Sequence, residues 1–205
     1  MLTYLFIAIS AIFSFLAFSN QSLFDNLKFN PYIILNRKQW YRFFSYSVIH
    51  ADWMHLMINM FVLYSFGGIV ERYFVNYFDS KGYLYFGLLY IGSVFMSVVP
   101  SFEKHKKNAY YNAVGASGAV SAVVFSNIIF NPMGKIGFMF LPFAMPSFVF
   151  GLLYLVYSAY MSRKGTDNIG HDAHFFGALF GMMFTIAVKP SLFMFFIHQI
   201  QAYFN

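Results

Sequence analysis

The stretch Asn112-Ala113-Val114-Gly115-Ala116-Ser117-Gly118-Ala119 opens an apolar run that otherwise reads as a membrane helix, and Ser117 stands at its head. A second such run opens with His174. Hydrocarbon cannot solvate a hydroxyl or an imidazole. Each must find a partner inside a bundle, and ionisable groups in membrane helices are rare without a function.

The 205 residues are 60% hydrophobic and only 10% charged, with 30 Phe and 16 Tyr. Soluble domains carry about a quarter charged residues, so this composition belongs in a membrane. Cysteine is absent. That excludes a disulfide framework, a thiolate metal site and a thiol nucleophile. The formal charge of +6 arises from 13 Lys and Arg spread over short loops. Such a distribution suits anionic lipid headgroups rather than nucleic acid.

A bilayer core takes about 20 apolar residues per helix. Six stretches fit, over residues 2–19, 53–70, 83–99, 113–130, 143–161 and 171–188. They predict an all-α integral membrane protein, a six-transmembrane-helix bundle in which residues 1–205 form a single membrane domain. The first stretch lacks a basic start and an Ala-x-Ala cleavage site, so it reads as a retained helix rather than a signal peptide. Residues 20–52 hold Lys28, Arg37, Lys38 and Arg42 among many aromatics. They are too polar to span and are expected to lie as a loop in the interface. After Pro190, the apolar residues Leu192, Phe193, Phe196, Ile200, Tyr203 and Phe204 recur at helical spacing, which predicts a surface helix over about 191–204.

Six crossings make the second, fourth and sixth stretches run in one direction. His55 and Asn59 lie early in the second, Ser117 early in the fourth and His174 early in the sixth. All four therefore fall near one membrane face at similar depth. His55 and Asn59, four residues apart, share a helix face.

A serine hydroxyl becomes a useful nucleophile when a base takes its proton, and neutral imidazole suits that task near neutral pH. His174 is the candidate base. Gly115 and Gly118 flank Ser117, while Gly177 and Gly181 follow His174. Small residues on both helices would let their backbones approach closely. Acyl transfer also needs donors for the developing oxyanion. The candidates are the Asn59 amide, an imidazole N–H of His55 and the backbone N–H of Ser117. Asp172, two residues from His174, points to another face of a helix. The chemistry is then that of a dyad, with no cofactor.

Gly-x-Ser-Gly by itself reads as helix packing, and a lone histidine as a group bonded to a carbonyl; the four polar residues at one depth favour a site. A metal site built from His50, His55, His171 and His174 lacks a His-Glu-x-x-His signature and any carboxylate or thiolate partner, so no metal is expected. Glu71 and Arg72 read as interfacial anchors at the end of the second stretch.

These residues, in this order, resemble the rhomboid intramembrane serine proteases from about Arg42 to Val188. The carrying motifs are His55-x-x-x-Asn59, Gly115-x-Ser117-Gly118, and Ala173-His174 followed by Gly177 and Gly181. His50, Gly67-Gly68-Ile69-Val70-Glu71 and Arg42 are supporting matches. The resemblance implies that Ser117 is the nucleophile and His174 the general base. It also implies that His55 and Asn59 help the Ser117 amide bind the oxyanion, and that the substrates are transmembrane proteins. Two positions depart from the pattern. Tyr41 precedes Arg42, with Trp40 displaced by one, and Ser121 stands one turn after Ser117, where some members have an aromatic that stacks on the histidine.

The resemblance implies a bacterial inner membrane location with the active site toward the extracytoplasmic side. Charge opposes that orientation. Arg72, Lys81, Lys135 and Lys189 would be cytoplasmic and the other nine basic residues would not, against the positive-inside rule. Two other functions compete with a protease: a rhomboid-like pseudoprotease that binds client helices without cleaving them, and a transporter or proton conduit around His55 and His174. A conduit needs polar groups across the full membrane depth, and here they stop near one face.

Overall fold

The computed structural model of the protein describes residues 1–137, 144–165 and 169–205. In chain order the helices are α1 (Leu2–Phe18), α2 (Gln21–Leu27), α3 (Pro31–Arg37), α4 (Arg42–Ser45), α5 (Trp53–Phe78), α6 (Lys81–His105), α7 (Ser117–Phe130), α8 (Ser147–Lys164), α9 (His171–Val188) and α10 (Ser191–Phe204). Between α7 and α8, strands β1 (Lys135–Gly137) and β2 (Ala144–Pro146) pair antiparallel, with Ile136 opposite Met145. Residue 143, the expected start of the fifth stretch, lies outside the described residues.

Local chemistry sets the helix ends. The Asp52 carboxylate accepts the His55 amide at 2.8 Å and caps α5. Asn30 does the same for α3 through Ile33 N at 2.8 Å, with Pro31 in the first turn, where its missing N–H costs nothing. Gly165, at φ +59°, closes α8 in the left-handed conformation that a side chain disfavours.

α7 is the centre of the bundle, with every residue from Gly118 to Phe130 buried. It packs most intimately on α9, and α5 and α6 also lie against it. Large apolar side chains on α1, α5, α6 and α8 instead face outward, including Phe15, Ile58, Leu84 and Leu152. An apolar surface on this scale needs a lipid environment. Among the described residues, α5 and α6 are long and apolar enough to cross a bilayer on their own, while α9 and α10 qualify only as one pair, bent by 114°. α1 and α7 are apolar but shorter.

Several expected boundaries move. The second stretch continues past residue 70 to Phe78, because Glu71 is not at an interface but inside the helix and buried. Its carboxylate accepts Leu2 N at 2.8 Å, Thr3 N at 3.1 Å and Thr3 Oγ1 at 2.7 Å. A carboxylate from α5 thus caps the start of α1, where the free N–H groups and the helix dipole favour negative charge. The fourth stretch becomes helical only at Ser117, four residues later than its apolarity suggests. Residues 20–52 contain α2, α3, α4 and a 3-10 turn, Tyr46–Val48.

Candidate active site

The first loop shapes the turn that presents Ser117. Phe29 and Ala113 exchange backbone hydrogen bonds at 2.9 and 3.0 Å, and Gly115 N donates to Tyr46 O at 2.9 Å. The Tyr46 hydroxyl donates to Val94 O at 2.7 Å, which ties the same loop to α6. Arg42 is buried, and its guanidinium donates to Gln39 Oε1 at 2.7 Å, Asp25 O at 2.9 Å and Lys28 O at 2.7 Å. It locks the loop's own fold.

Gly115 sits at φ +105°, a conformation open mainly to glycine. A Cβ there would also lie 2.5 Å from His55 Cε1 and 2.8 Å from His55 Nε2. The Cε1–Nε2 edge of the His55 imidazole therefore abuts the turn before Ser117. A long contact of 3.4 Å brings Ala51 N to His55 Nδ1, so Nδ1 accepts and the ring proton resides on Nε2, the edge beside Gly115. Asn59, one turn on, donates one amide hydrogen to His55 O at 2.9 Å. An amide nitrogen carries two hydrogens, and this bond uses one of them.

His50 is buried and braces the turn from behind. Ala116 N donates to its Nε2 at 3.4 Å, which makes Nδ1 the protonated nitrogen, 2.9 Å from Ser14 Oγ. Ser14 in turn donates to Val48 O at 3.2 Å. This chain suits only a neutral ring. Burial, reinforced by the nearby His55 and opposed by Asp52, holds the His50 pKa down at about 3.

Ser117 is the first residue of α7 and half-buried, so its N–H and those of Gly118 and Ala119 lie at the positive end of the helix dipole. α9 crosses α7 at this level without side chains between them. A Cβ on Gly177 would overlap Gly118 O, and a Cβ on Gly181 would overlap Ala122 O. A Cβ on Gly118 would lie 3.2 Å from Ala173 O. Residues adjacent to Ser117 and His174 are thus in backbone contact.

Around His174 the rings are close. His171 lies 5.9 Å away, edge-on, and Tyr154 of α8 lies 6.4 Å away at an interplanar angle of 27°. The Tyr154 hydroxyl is 2.6 Å from Ser121 Oγ. Asp172 is engaged elsewhere, by Lys104 Nζ at 3.3 Å and by Ser162 Oγ, and links the ends of α6, α8 and α9. The four candidate metal-binding histidines split into two pairs, His50 with His55 at 5.0 Å and His171 with His174.

Tyr154, Ser14 and Tyr46 were not singled out from the sequence. In a chain that is 23% aromatic, no single tyrosine stands out. The spacing of Tyr154 and Tyr157 against His171 and His174 was the available signal.

A helical integral membrane protein with a serine at one helix start, crossed by a histidine-bearing helix through bare glycines, is the class these features define. The Rhomboid domain family matches residues 37–191, and the chain belongs to that family. The chloroplastic rhomboid-like protein 11 of Arabidopsis thaliana is 29% identical over 161 residues, 74% of this chain and 54% of that protein. The chain therefore spans about half the length of this curated relative.

Proposed function

We propose that the chain is an intramembrane serine endopeptidase, built on six crossings, that hydrolyses peptide bonds in or beside transmembrane segments of other membrane proteins. His174 takes the Ser117 Oγ proton as that oxygen attacks the peptide carbonyl. The imidazolium then returns the proton to the leaving amine, and an acyl-enzyme remains. Water, deprotonated by the same imidazole, releases the acyl group and restores the serine. The oxyanion is held by the Ser117 N–H, His55 Nε2–H and the second Asn59 N–H.

The carrying observation is the glycine-bared crossing of α7 and α9, with Gly118 against Gly177, one residue from Ser117 and three from His174. The imidazole of His55 pressed on Gly115 supports the oxyanion role from the opposite side. A pseudoprotease that only holds client helices would have no use for a dyad set at this crossing.

A peptide bond in a substrate helix is already hydrogen-bonded, so the segment must unwind before it can react. Small or helix-breaking residues near the membrane surface are the expected cleavage sites. We assign the mouth of the site to the extracytoplasmic side of the membrane. Of the nine basic residues on that side, Arg42 is sealed among carbonyls and contributes little to orientation. A reporter fusion at Lys106 is expected to read extracytoplasmic, and a cytoplasmic signal there overturns the orientation.

Incubating the purified chain with a fluorescent transmembrane reporter tests the activity. Cleavage by the wild type that is lost in Ser117→Ala and in His174→Ala is expected, and equal cleavage by wild type and Ser117→Ala ends the proposal.

A further inference from the structure

Two tyrosines three residues apart on α8 face two histidines three residues apart on α9. Tyr157 meets His171 edge-on at 5.6 Å, and Tyr154 lies near-parallel to His174 at 6.4 Å. His171 and His174 are themselves edge-on at 5.9 Å, so the four rings form one ladder across the two helices. We propose that Tyr154 is a positioning residue for His174, and that this ladder makes the orientation of the base depend on where α8 stands. The inference rests on the reading of His174 as the general base.

Residues three apart share a helix face, so the rungs are in register by virtue of the helical repeat alone. The terminal torsion of a histidine is broad and selects no single ring plane. A neighbouring ring on one face narrows the range of planes the imidazole can adopt. Tyr154 is itself held at both ends. Its ring sits 5.5 Å from Phe125 and 5.8 Å from Phe150, and its hydroxyl is 2.6 Å from Ser121 Oγ. Ser121 lies one turn beyond Ser117 on α7, so this hydrogen bond sets the height of Tyr154 relative to the nucleophile. One side chain thereby connects the helix of the serine, the helix of the base and α8. Around this ladder α8 meets α9 through ring pairs and α7 through the Tyr154–Ser121 pair, and Leu152 and Val156, 63% and 61% exposed, face away from the bundle. A lean of α8 away from α9 parts the rungs and removes a ring from one side of the imidazole in the same motion.

The test measures two quantities on the purified full chain in detergent: the rate of Ser117 labelling by a fluorophosphonate against pH, and the titration of the His174 ring by NMR with histidine-selective labelling. The variants are Tyr154→Leu, Tyr154→Phe, Ser121→Ala and the double Ser121→Ala/Tyr154→Phe. Misplacing a reacting group can cost up to about 100-fold, and Tyr154→Leu is expected to slow labelling about tenfold and to move the pH midpoint of the rate. Tyr154→Phe keeps the ring and should remain within about threefold of wild type, with Ser121→Ala slowed by the same factor and the double variant no slower than either, since partners in one hydrogen bond are coupled. Equal rates and midpoints in wild type and Tyr154→Leu overturn the inference, and so does a double variant whose effect is the product of the two single ones. Should the wild type fail to label, the protease reading falls by itself. The His174 titration still judges the ladder, and an identical midpoint in wild type and Tyr154→Leu overturns it.

Discussion

The α7–α9 crossing and the α8 wall both flank His174 but are held by different means. At the crossing, backbone meets backbone, because Gly177 and Gly181 expose the α9 chain to the carbonyls of Gly118 and Ala122. At the wall, contact runs through ring pairs and side-chain hydrogen bonds, Tyr154 with Ser121 and Ser162 to Asp172. Backbone contact has no rotamers to relax into, whereas side-chain contact can open and reform. Ser117 and His174, the proposed dyad, thus lie on the stiff seam, and α8 lies on the softer one.

The largest expected effect comes from breaking the seam. Gly177→Leu forces a side chain into the space of Gly118 O, and overpacking of this kind costs about 1–3 kcal/mol or more. Thermal unfolding in detergent should shift down, and fluorophosphonate labelling should fall by about 100-fold or more as Ser117 and His174 separate. A variant that labels at the wild-type rate would show that the crossing is not what joins them. Next is Gly115→Ala, which places a side chain at φ +105° and against the His55 ring. Strain at such a position is of order 1–3 kcal/mol. Its activity should drop further than its melting temperature would explain, because the His55 imidazole, the proposed oxyanion donor, is displaced.

His50 gives a smaller, pH-dependent effect. Its folded pKa, about 3, lies below the ordinary histidine value of 6.5. The unfolded chain therefore takes up the proton first, so the stability that neutral His50 supports is complete above pH 6.5 and is lost progressively as pH falls toward about 3. Melting curves between those limits should fall with acidification, and His50→Asn should flatten that slope. The smallest effect is expected on the outer side of the wall. Val156 faces away from the bundle, and Val156→Ala should alter labelling by less than about twofold and stability by less than about 0.5 kcal/mol.

Much of the seam was legible because its logic is chemical: a serine, a histidine and spaced glycines in apolar runs are conspicuous against hydrocarbon. The turn ahead of Ser117 was less so. Its residues are as apolar as the helix they precede, and only the φ of Gly115 and the bonds from Tyr46 and His50 show where helix begins. Glu71 was misread as an anchor because a charge near the end of an apolar run looks like a span boundary. Its real partner, the start of α1, is nearly seventy residues away in sequence. Asp172 was separated from His174 by helical spacing, and its bonds to Lys104 and Ser162 direct it elsewhere. Tyr154 was missed because its meaning depends on a neighbour in another helix, which periodicity within α8 does not reveal.

The central claim is that Ser117 is a nucleophile activated by His174 across the glycine seam. Intact-mass and peptide-mass analysis after fluorophosphonate treatment measures this directly, with the rate followed in wild type, Ser117→Ala and His174→Ala. A single adduct on Ser117, absent from Ser117→Ala and slowed by about 1,000-fold or more in His174→Ala, is the predicted result. An adduct on another residue, or undiminished labelling of His174→Ala, would contradict it.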